Sequence, residues 1–325
     1  MTDSHIICAY EIDGSGRGIP LHDDAEIFEK LKATNLAWAH LDASHSDTRG
    51  WLEDNISYLD DLILDALLAE ETRPRMLEHK DGLLLILRGV NLNENANAED
   101  MISIRLWIDE HRIISTRKRK LRAITDIRNK LEQGTGPKDS GHFLSMLSGL
   151  LTQRMEPVLS ELDEETDAIE EAILEDPDLE ERQAIIDIRK RAILFRRYIS
   201  PQKDAVAQLR LSEVAWLSAK DKRALQENAD RLMRYVEDLD AIRERAQIVK
   251  DELANIVADK MNRNTYILSI VAAIFLPLGF LTGLLGINVG GMPGADNDIA
   301  FWIVCLLCGL FAGLLMLIFR SFKWF

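Results

Sequence analysis

The chain has 325 residues, with 39 Lys and Arg against 54 Asp and Glu, and a formal net charge of −15. This length suits one large domain or two modest ones, and the acidic excess argues against nucleic acid as a partner, because phosphates need Lys and Arg. The three cysteines are too few for a disulfide framework, which predicts a reducing cytosol around the soluble part.

Residues 1–140 are predicted to form an α/β domain. This domain is expected to be cytosolic, because the N-terminus has no pattern of a signal peptide. Short runs rich in Leu, Ile, Val and Trp predict strands at Ile6–Glu11, Leu36–Leu41, Leu83–Val90, Ile102–Ile108 and Arg112–Ser115. Helical patterns lie between them, at Asp23–Lys32 and Leu59–Ala69. The turn-forming sequence of residues 132–137 marks the end of this domain.

One compact set of metal-binding side chains lies in this domain, namely His40, Asp42 and His45. His40 and Asp42 would share one face of a strand, and His45 would lie in the following turn. The set is a candidate cytosolic zinc-sensing site. The sequence favours the simpler interpretation that it binds no metal.

Residues 141–265 are predicted to form a helical stalk, since apolar residues recur there at helical spacing. Pro177 is expected to separate two helices, with Asp176 as N-cap. Pro201 is expected to kink or end the second helix. Ser218 resembles the start of a capping box, so a third helix is expected to begin there.

The third helix carries a heptad pattern that predicts packing against other helices along its length. The two repeating positions hold Leu225, Leu232, Leu239, Ala246 and Leu253, and Asn228, Tyr235, Ile242, Val249 and Ile256. Gly and Pro are absent from Ser218 to Phe275. The pattern therefore predicts one long helix that continues towards a membrane segment.

Two apolar segments near the C-terminus predict a membrane hairpin. Between Asn264 and Phe319, Asp296 and Asp298 are the only Asp, Glu, Lys or Arg residues. We expect a first membrane helix at 266–288, a periplasmic loop at 289–298, a second membrane helix at 299–319 and a cytosolic tail at 320–325. Basic residues flank the hairpin and are absent from its loop, which predicts that both termini are cytosolic.

A plain membrane anchor would not require the small and helix-breaking residues of the first membrane helix. These are Pro277, Gly279, Gly283 and Gly286. We interpret them as signs of transport. Two helices cannot enclose a polar path, so several copies of the chain would have to surround it, most simply as a cyclic ring.

The segment from Tyr266 to Gly294 resembles the CorA-type divalent-cation transporters, whose first membrane helix ends in Gly-Met-Asn. Here the tripeptide is Gly286-Ile287-Asn288, followed by Val-Gly-Gly-Met-Pro-Gly, which is similar to the ZntB zinc-transporter branch. Further stretches resemble that branch: Glu71–Arg75, Ser115–Lys120, Glu132–Pro137 and Arg196–Asp204. The resemblance implies an α+β membrane protein that assembles as a funnel-shaped homopentamer in a bacterial inner membrane, carries Zn²⁺ and needs no cofactor.

The resemblance also implies roles for individual residues. The selectivity motif would be Gly286, Ile287 and Asn288, with a ring of Asn288 amides meeting a hydrated cation at the outer mouth. The predicted pore-lining positions are Asn262, Thr265, Leu268, Ala272, Leu276 and Gly279. Leu268 and Leu276 could form apolar constrictions; ordinary helix packing is the alternative.

Acidic residues near both ends of the path could attract cations. They are Asp296 and Asp298 in the loop, and Asp251 and Glu252 on the cytosolic side. The alternative in each case is a solvated acidic surface. Cys305 and Cys308 are interpreted as small packing residues, because no other soft ligand lies near them in the sequence.

Two alternatives to zinc transport stay open: a Mg²⁺ or Co²⁺ channel of the same family, and a membrane-tethered coiled-coil scaffold. An enzyme is not expected, because no nucleophile–base set or phosphate loop is evident. The resemblance favours proton-coupled uptake, although the first membrane helix has no titratable side chain to relay protons.

Overall fold

The computed structural model describes residues 4–56, 58–175, 179–287 and 298–321. These residues form two compact units, Met1–Lys250 and Asp251–Phe325. The strands are β1 (Ile6–Ile12), β2 (Gly18–Leu21), β3 (Leu36–Asp42), β4 (Arg75–His79), β5 (Gly82–Gly89), β6 (Ile102–Ile108) and β7 (Arg112–Arg117). The helices are α1 (Asp24–Lys32), α2 (Asp47–Asn55), α3 (Asp61–Leu68), α4 (Arg122–Glu132), α5 (Ser140–Gln153), α6 (Glu156–Glu175), α7 (Leu179–Leu211), α8 (Ala219–Leu285) and α9 (Ala300–Ser321).

The strands form one sheet in the order β2-β1-β3-β7-β6-β5-β4, in which only the β3–β7 pair is parallel. Side chains alternate between the faces of a strand. On β3, Ala39 and Leu41 therefore join a buried cluster with residues of α1, α2 and α3. Trp38 lies on the other face, where its ring packs edge-on against Phe143 of α5, with the ring centroids 5.0 Å apart. Helices thus cover both faces of the sheet.

The five predicted strands correspond to β1, β3, β5, β6 and β7, and the two predicted helices to α1 and α3. The sequence analysis missed β2, β4, α2 and α4. Strand β2 has four residues and includes Pro20, and β4 is largely exposed and lacks an apolar run. Helix α2 contains Gly50 and several poor helix formers, so its local propensity is weak.

Pro201 lies inside α7, which continues to Leu211, so this proline does not end the helix. Around it, α7 contacts β5 at Arg88. The guanidinium carbon of Arg88 lies 3.9 Å from the centroid of the Tyr198 ring, and the Gln202 side chain accepts a hydrogen bond from the Arg88 backbone N at 2.6 Å. Arg88 also donates to the Thr72 carbonyl at 2.8 Å. Two of the stretches that carry the family resemblance, Glu71–Arg75 and Arg196–Asp204, therefore both contact Arg88.

The predicted boundary between two helices at Pro177 falls between α6, which ends at Glu175, and α7, which begins at Leu179. Pro177 and its expected N-cap, Asp176, lie outside the described residues.

Helix α8 begins where the capping box predicts, because the Ser218 hydroxyl accepts a hydrogen bond from the Asp221 backbone N at 3.2 Å. The heptad prediction is confirmed by burial. Nine of its ten positions are buried, and Ile256 is half-buried. The helix has 67 residues and runs without interruption to Leu285.

Candidate functional site

The second unit consists mainly of apolar, exposed helix. Among the described residues, α8 and α9 are the two helices long and apolar enough to cross a membrane, by length and composition. Within the second unit, most of their large apolar side chains are exposed, including Leu268 at 68% and Leu310 at 64%. A continuous apolar surface of this extent needs lipid or further protein to cover it.

One face of α8 is turned towards α9. Side chains of both helices line an apolar cavity of about 420 Å³, among them Leu281 and Leu285 of α8 and Val304, Cys308 and Phe311 of α9. Cys308 is half-buried among these apolar side chains, whereas Cys305 is exposed, and their interpretation as packing residues stays a prediction. The described residues contain no group of three or more His, Cys, Asp or Glu that could hold a metal ion.

The predicted pore positions form a stripe on a different face of α8. All six are exposed or half-buried: Asn262, Thr265, Leu268, Ala272, Leu276 and Gly279. Leu281 follows Ala272 by nine residues, which is roughly 180° around a helix at about 100° per residue. The stripe therefore faces away from the side of α8 that lines the cavity shared with α9.

The stripe is uncharged, and Leu276, near its C-terminal end, is 71% exposed. Its polar groups are the side chains of Asn262 and Thr265, and neither His, Cys nor a carboxylate belongs to it. Such a surface could contact the water shell of a cation but could not replace that shell with strong ligands.

Two hydroxyl groups of α8 bond to the helix backbone, which the sequence analysis did not foresee. Ser269 Oγ donates to the Thr265 carbonyl at 2.8 Å, and Thr282 Oγ1 donates to the Leu278 carbonyl at 2.9 Å. Hydroxyl groups that bond back in this way often bend a helix. The signal available in the sequence was the presence of Ser and Thr in an otherwise apolar segment.

The selectivity motif begins at the C-terminal end of α8. The Gly286 backbone N donates to the carbonyls of Thr282 and Gly283, at 3.0 and 3.2 Å. Ile287 is 47% exposed. Asn288, the third residue of the motif, lies outside the described residues, as does Asp296.

The remaining predicted cation-attracting residues lie in exposed positions. Asp251 and Glu252 are exposed on α8, and Asp298 is exposed just before α9. Their exposure is compatible with a role in attracting cations and equally with a solvated acidic surface.

The structure does not bring the His40, Asp42 and His45 set together as a metal site. His40 is fully buried, and its Nδ1 atom lies 2.8 Å from Ser115 Oγ. The Asp42 carboxylate accepts a hydrogen bond from the Ser44 backbone N, and His45 Nδ1 accepts one from the Asp47 backbone N. These local roles explain why three metal-binding residue types occur close together in the sequence.

Comparisons with known proteins cover nearly the whole chain. The family model described as CorA-like Mg²⁺ transporter protein matches residues 34–321. The chain is 37% identical to the divalent cation transporter CmaX of Pseudomonas aeruginosa over 325 residues, which cover 98% of this chain and 96% of the relative. It is 36% identical to the zinc transport protein ZntB of Pectobacterium carotovorum over 321 residues, which cover 99% and 96% of the two chains.

The structure of the full-length CmaX protein matches with a TM-score of 0.85 at 36% identity and covers all of both chains. This likeness supports the predicted architecture of an α/β domain, a long helix and two apolar C-terminal helices. The prediction that the chain is not an enzyme is confirmed by its relatives, which are named as transporters. The extent of the family match and the similarity to both relatives show that the chain belongs to the CorA-like transporter family.

Proposed function

We propose that several copies of this chain surround a path for divalent cations that is lined by the C-terminal part of α8. The observation that carries the proposal is the exposed, uncharged stripe on the face of α8 turned away from α9. Copies arranged around an axis would cover this stripe and leave a narrow path between them. Family membership supports transport over a plain anchor or scaffold.

Zinc is the proposed physiological ion. The zinc transport protein ZntB is similar over nearly the whole chain, and the tripeptide Gly286-Ile287-Asn288 departs from Gly-Met-Asn. The second candidate is Mg²⁺ or Co²⁺, because the family model is described as a Mg²⁺ transporter and CmaX is named for divalent cations in general. A stripe without strong ligands suits weak contact with a hydrated ion of either kind.

A homopentamer in a bacterial inner membrane is the proposed assembly, with both termini in the cytosol. Lys260 and Arg263 precede the first apolar segment, Arg320 and Lys323 follow the second, and the connecting loop has no basic residue. This distribution supports the orientation. Native mass spectrometry of the purified protein is expected to show five copies, and a stable monomer would contradict the proposed path.

Transport is tested with protein reconstituted into liposomes. The wild-type chain is expected to pass Zn²⁺, and Asn288→Ala is expected to lose most of the flux while the oligomer stays intact. Asn129→Ala, at an exposed position of α4, is the matched control and should transport normally. Normal flux through Asn288→Ala would overturn the role of the carboxamide, and an intact oligomer that passes no divalent cation would favour the scaffold.

The ion and the driving force need separate measurements. Competition of Zn²⁺ flux by Mg²⁺ and Co²⁺ at equal concentrations ranks the candidate ions. We propose that uptake is coupled to protons, so an inward proton gradient should accelerate Zn²⁺ entry. Equal rates with and without the gradient would instead show a passive channel.

A further inference from the structure

A polar cavity of about 550 Å³ lies in the first unit beside the start of α4. Its lining includes Asn93, from the connection between β5 and β6, and Lys120, from the segment that enters α4. The lining also includes Arg122 and Thr125 of α4, and Arg154 directly after α5. This volume lies within the range of ligand pockets, about 300–1,000 Å³.

The cavity adjoins the most basic stretch of an acidic chain. Five of the six residues from 117 to 122 are Arg or Lys, in a protein whose formal net charge is −15. Two of the five, Lys120 and Arg122, line the cavity. Such local concentration of positive charge creates a field that favours anions.

The charges in the cavity are only partly neutralised. Arg154 Nε lies 2.9 Å from the Asp126 carboxylate, so these two side chains neutralise each other. Arg122 Nε donates to the Leu92 carbonyl at 3.2 Å, which supplies no counter-charge. Among the described residues, Lys120 Nζ forms no hydrogen bond or ion pair, and Glu94 is the remaining acid of the lining.

The first turn of α4 contributes Arg122 and Thr125 to this lining. The N-cap residue of α4 is Leu121, whose side chain cannot cap the helix. The first N–H groups of a helix have no partner within it and carry partial positive charge. The Asn93 side-chain amide donates to the Lys120 carbonyl at 3.0 Å and so fixes the segment that leads into α4 against the connection between β5 and β6.

We propose that this cavity binds a soluble anion that carries two or more linked phosphate groups. Lys120 and Arg122 pair with phosphate oxygens, and the uncapped start of α4 donates backbone hydrogen bonds to the same group. Linked phosphates fit better than a single phosphate, because the cavity is large enough to hold several phosphate groups. Each of the two cationic side chains in its lining could then pair with a different phosphate group.

The test is isothermal titration calorimetry of the full-length protein in detergent and metal-free buffer. Tripolyphosphate, ATP and inorganic phosphate are titrated in separate experiments. Saturable binding is expected for tripolyphosphate and ATP with similar affinity, and weaker binding for inorganic phosphate. Cardiolipin-doped micelles test a lipid headgroup as the source of the same chemistry: competition with tripolyphosphate would assign the site to lipid as well. The absence of binding in every arm would overturn the proposal.

Variants distinguish this site from general charge attraction. Lys120→Ala/Arg122→Ala is expected to weaken tripolyphosphate binding by about tenfold or more, because two charge-assisted contacts are lost. Lys118→Ala/Arg119→Ala removes the same charge from the same stretch but outside the cavity, and should bind within about twofold of wild type. Equal weakening by both pairs would overturn the site.

A third variant should act in the opposite direction. Asp126→Asn frees Arg154 from its carboxylate and removes a negative charge, so it is expected to tighten binding several-fold. Misfolding cannot produce such a gain, and unchanged or weaker binding would contradict the geometry. None of these measurements depends on ion flux, so they stand or fall separately from the proposed transport.

Discussion

Ser115 Oγ on β7 lies 2.8 Å from Nδ1 of His40 on β3, in the core of the first unit. His40 is fully buried, and its Nε2 atom has no hydrogen-bond partner among the described residues. Burial lowers the pKa of His40 to about 3, and the guanidinium groups of Arg117 and Arg128 act in the same direction. This histidine is therefore neutral in the folded protein at any physiological pH.

The lowered pKa predicts acid sensitivity of the first unit. The ordinary pKa of His is about 6.5. Below that pH the unfolded chain binds a proton that folded His40 does not, so stability is full above about pH 6.5 and falls as pH drops towards 3. The contribution of one such group is at most about 1.4 kcal/mol per pH unit. His40→Gln should flatten the decline in stability between pH 6.5 and 5.

Denaturant unfolding at several pH values measures this effect. Trp38 is a suitable fluorescent reporter because its ring centroid lies 6.0 Å from that of His40. His22→Gln, at an exposed position, is the control and should keep the wild-type pH dependence. A His40→Gln profile parallel to that of wild type would show that His40 does not cause the acid sensitivity.

The heptad of α8 predicts unequal effects of substitutions on one helix. Leu239 is fully buried, whereas Met233 is 46% exposed. Leu239→Ala should destabilise the protein by about 2–5 kcal/mol, because it removes buried methyl groups and leaves a cavity. Met233→Ala should change stability by less than about 1 kcal/mol. Denaturant midpoints of the two variants check the difference, and similar losses would contradict the assignment of the buried face.

The parts of the fold that the sequence predicted are those whose local pattern agrees with their burial. The prediction of a packed helix from Leu225 to Ile256 succeeded because the apolar heptad positions correspond to the one buried face of the helix. Strand β4 was not predicted, because it is held by its pairing with β5 and not by apolar side chains of its own. The pairing runs from Arg75 opposite Ile86 to His79 opposite Gly82. Long-range pairing of this kind leaves little trace in a local window of sequence.

The candidate sites likewise differ in how far local sequence could predict them. That the residues from Asn262 to Gly279 share one exposed face was predictable, because helical spacing decides which residues share a face. Their role as a lining of the path stays a prediction. The set of His40, Asp42 and His45 could not be decided from spacing alone, because spacing cannot reveal that His40 turns into the core. The cavity beside Lys120 was not predictable, since Asn93 and Arg154 reach it from distant parts of the chain.

The orientation of α8 predicts which engineered cysteines a charged thiol reagent will reach. In a background with the three native cysteines replaced by alanine, Leu276→Cys should lose most of its cation flux after a water-soluble methanethiosulfonate reagent is added. Leu276 lies on the exposed stripe, and a charged adduct there would obstruct the proposed path. Flux assays in liposomes before and after the reagent measure the effect.

Leu281→Cys is the matched control, because Leu281 lies on the side of α8 that lines the cavity shared with α9. Its flux should survive the reagent. Inhibition at residue 281 without inhibition at residue 276 would reverse the assignment of faces, and the stripe would then belong to packing or to lipid.

The two glycines near the end of α8 should respond differently to alanine. A Cβ atom on Gly286 would lie 3.1 Å from the Thr282 carbonyl oxygen, tighter than ordinary contact, whereas one on Gly283 would meet nothing within 4 Å. Gly286→Ala should therefore disturb the end of the helix that leads into Asn288 and reduce cation flux. Gly283→Ala should be tolerated and could stabilise the helix by about 0.5–1 kcal/mol.

Flux and oligomer size measured on the same preparations separate the causes. Reduced flux from an intact Gly286→Ala oligomer would show that the helix end shapes the path and not the assembly. Wild-type flux in that variant would mean that the end of α8 tolerates the shift. If Gly283→Ala instead loses its oligomer, a neighbouring copy must approach the helix at that glycine, because the described residues of one chain leave the space beside it open.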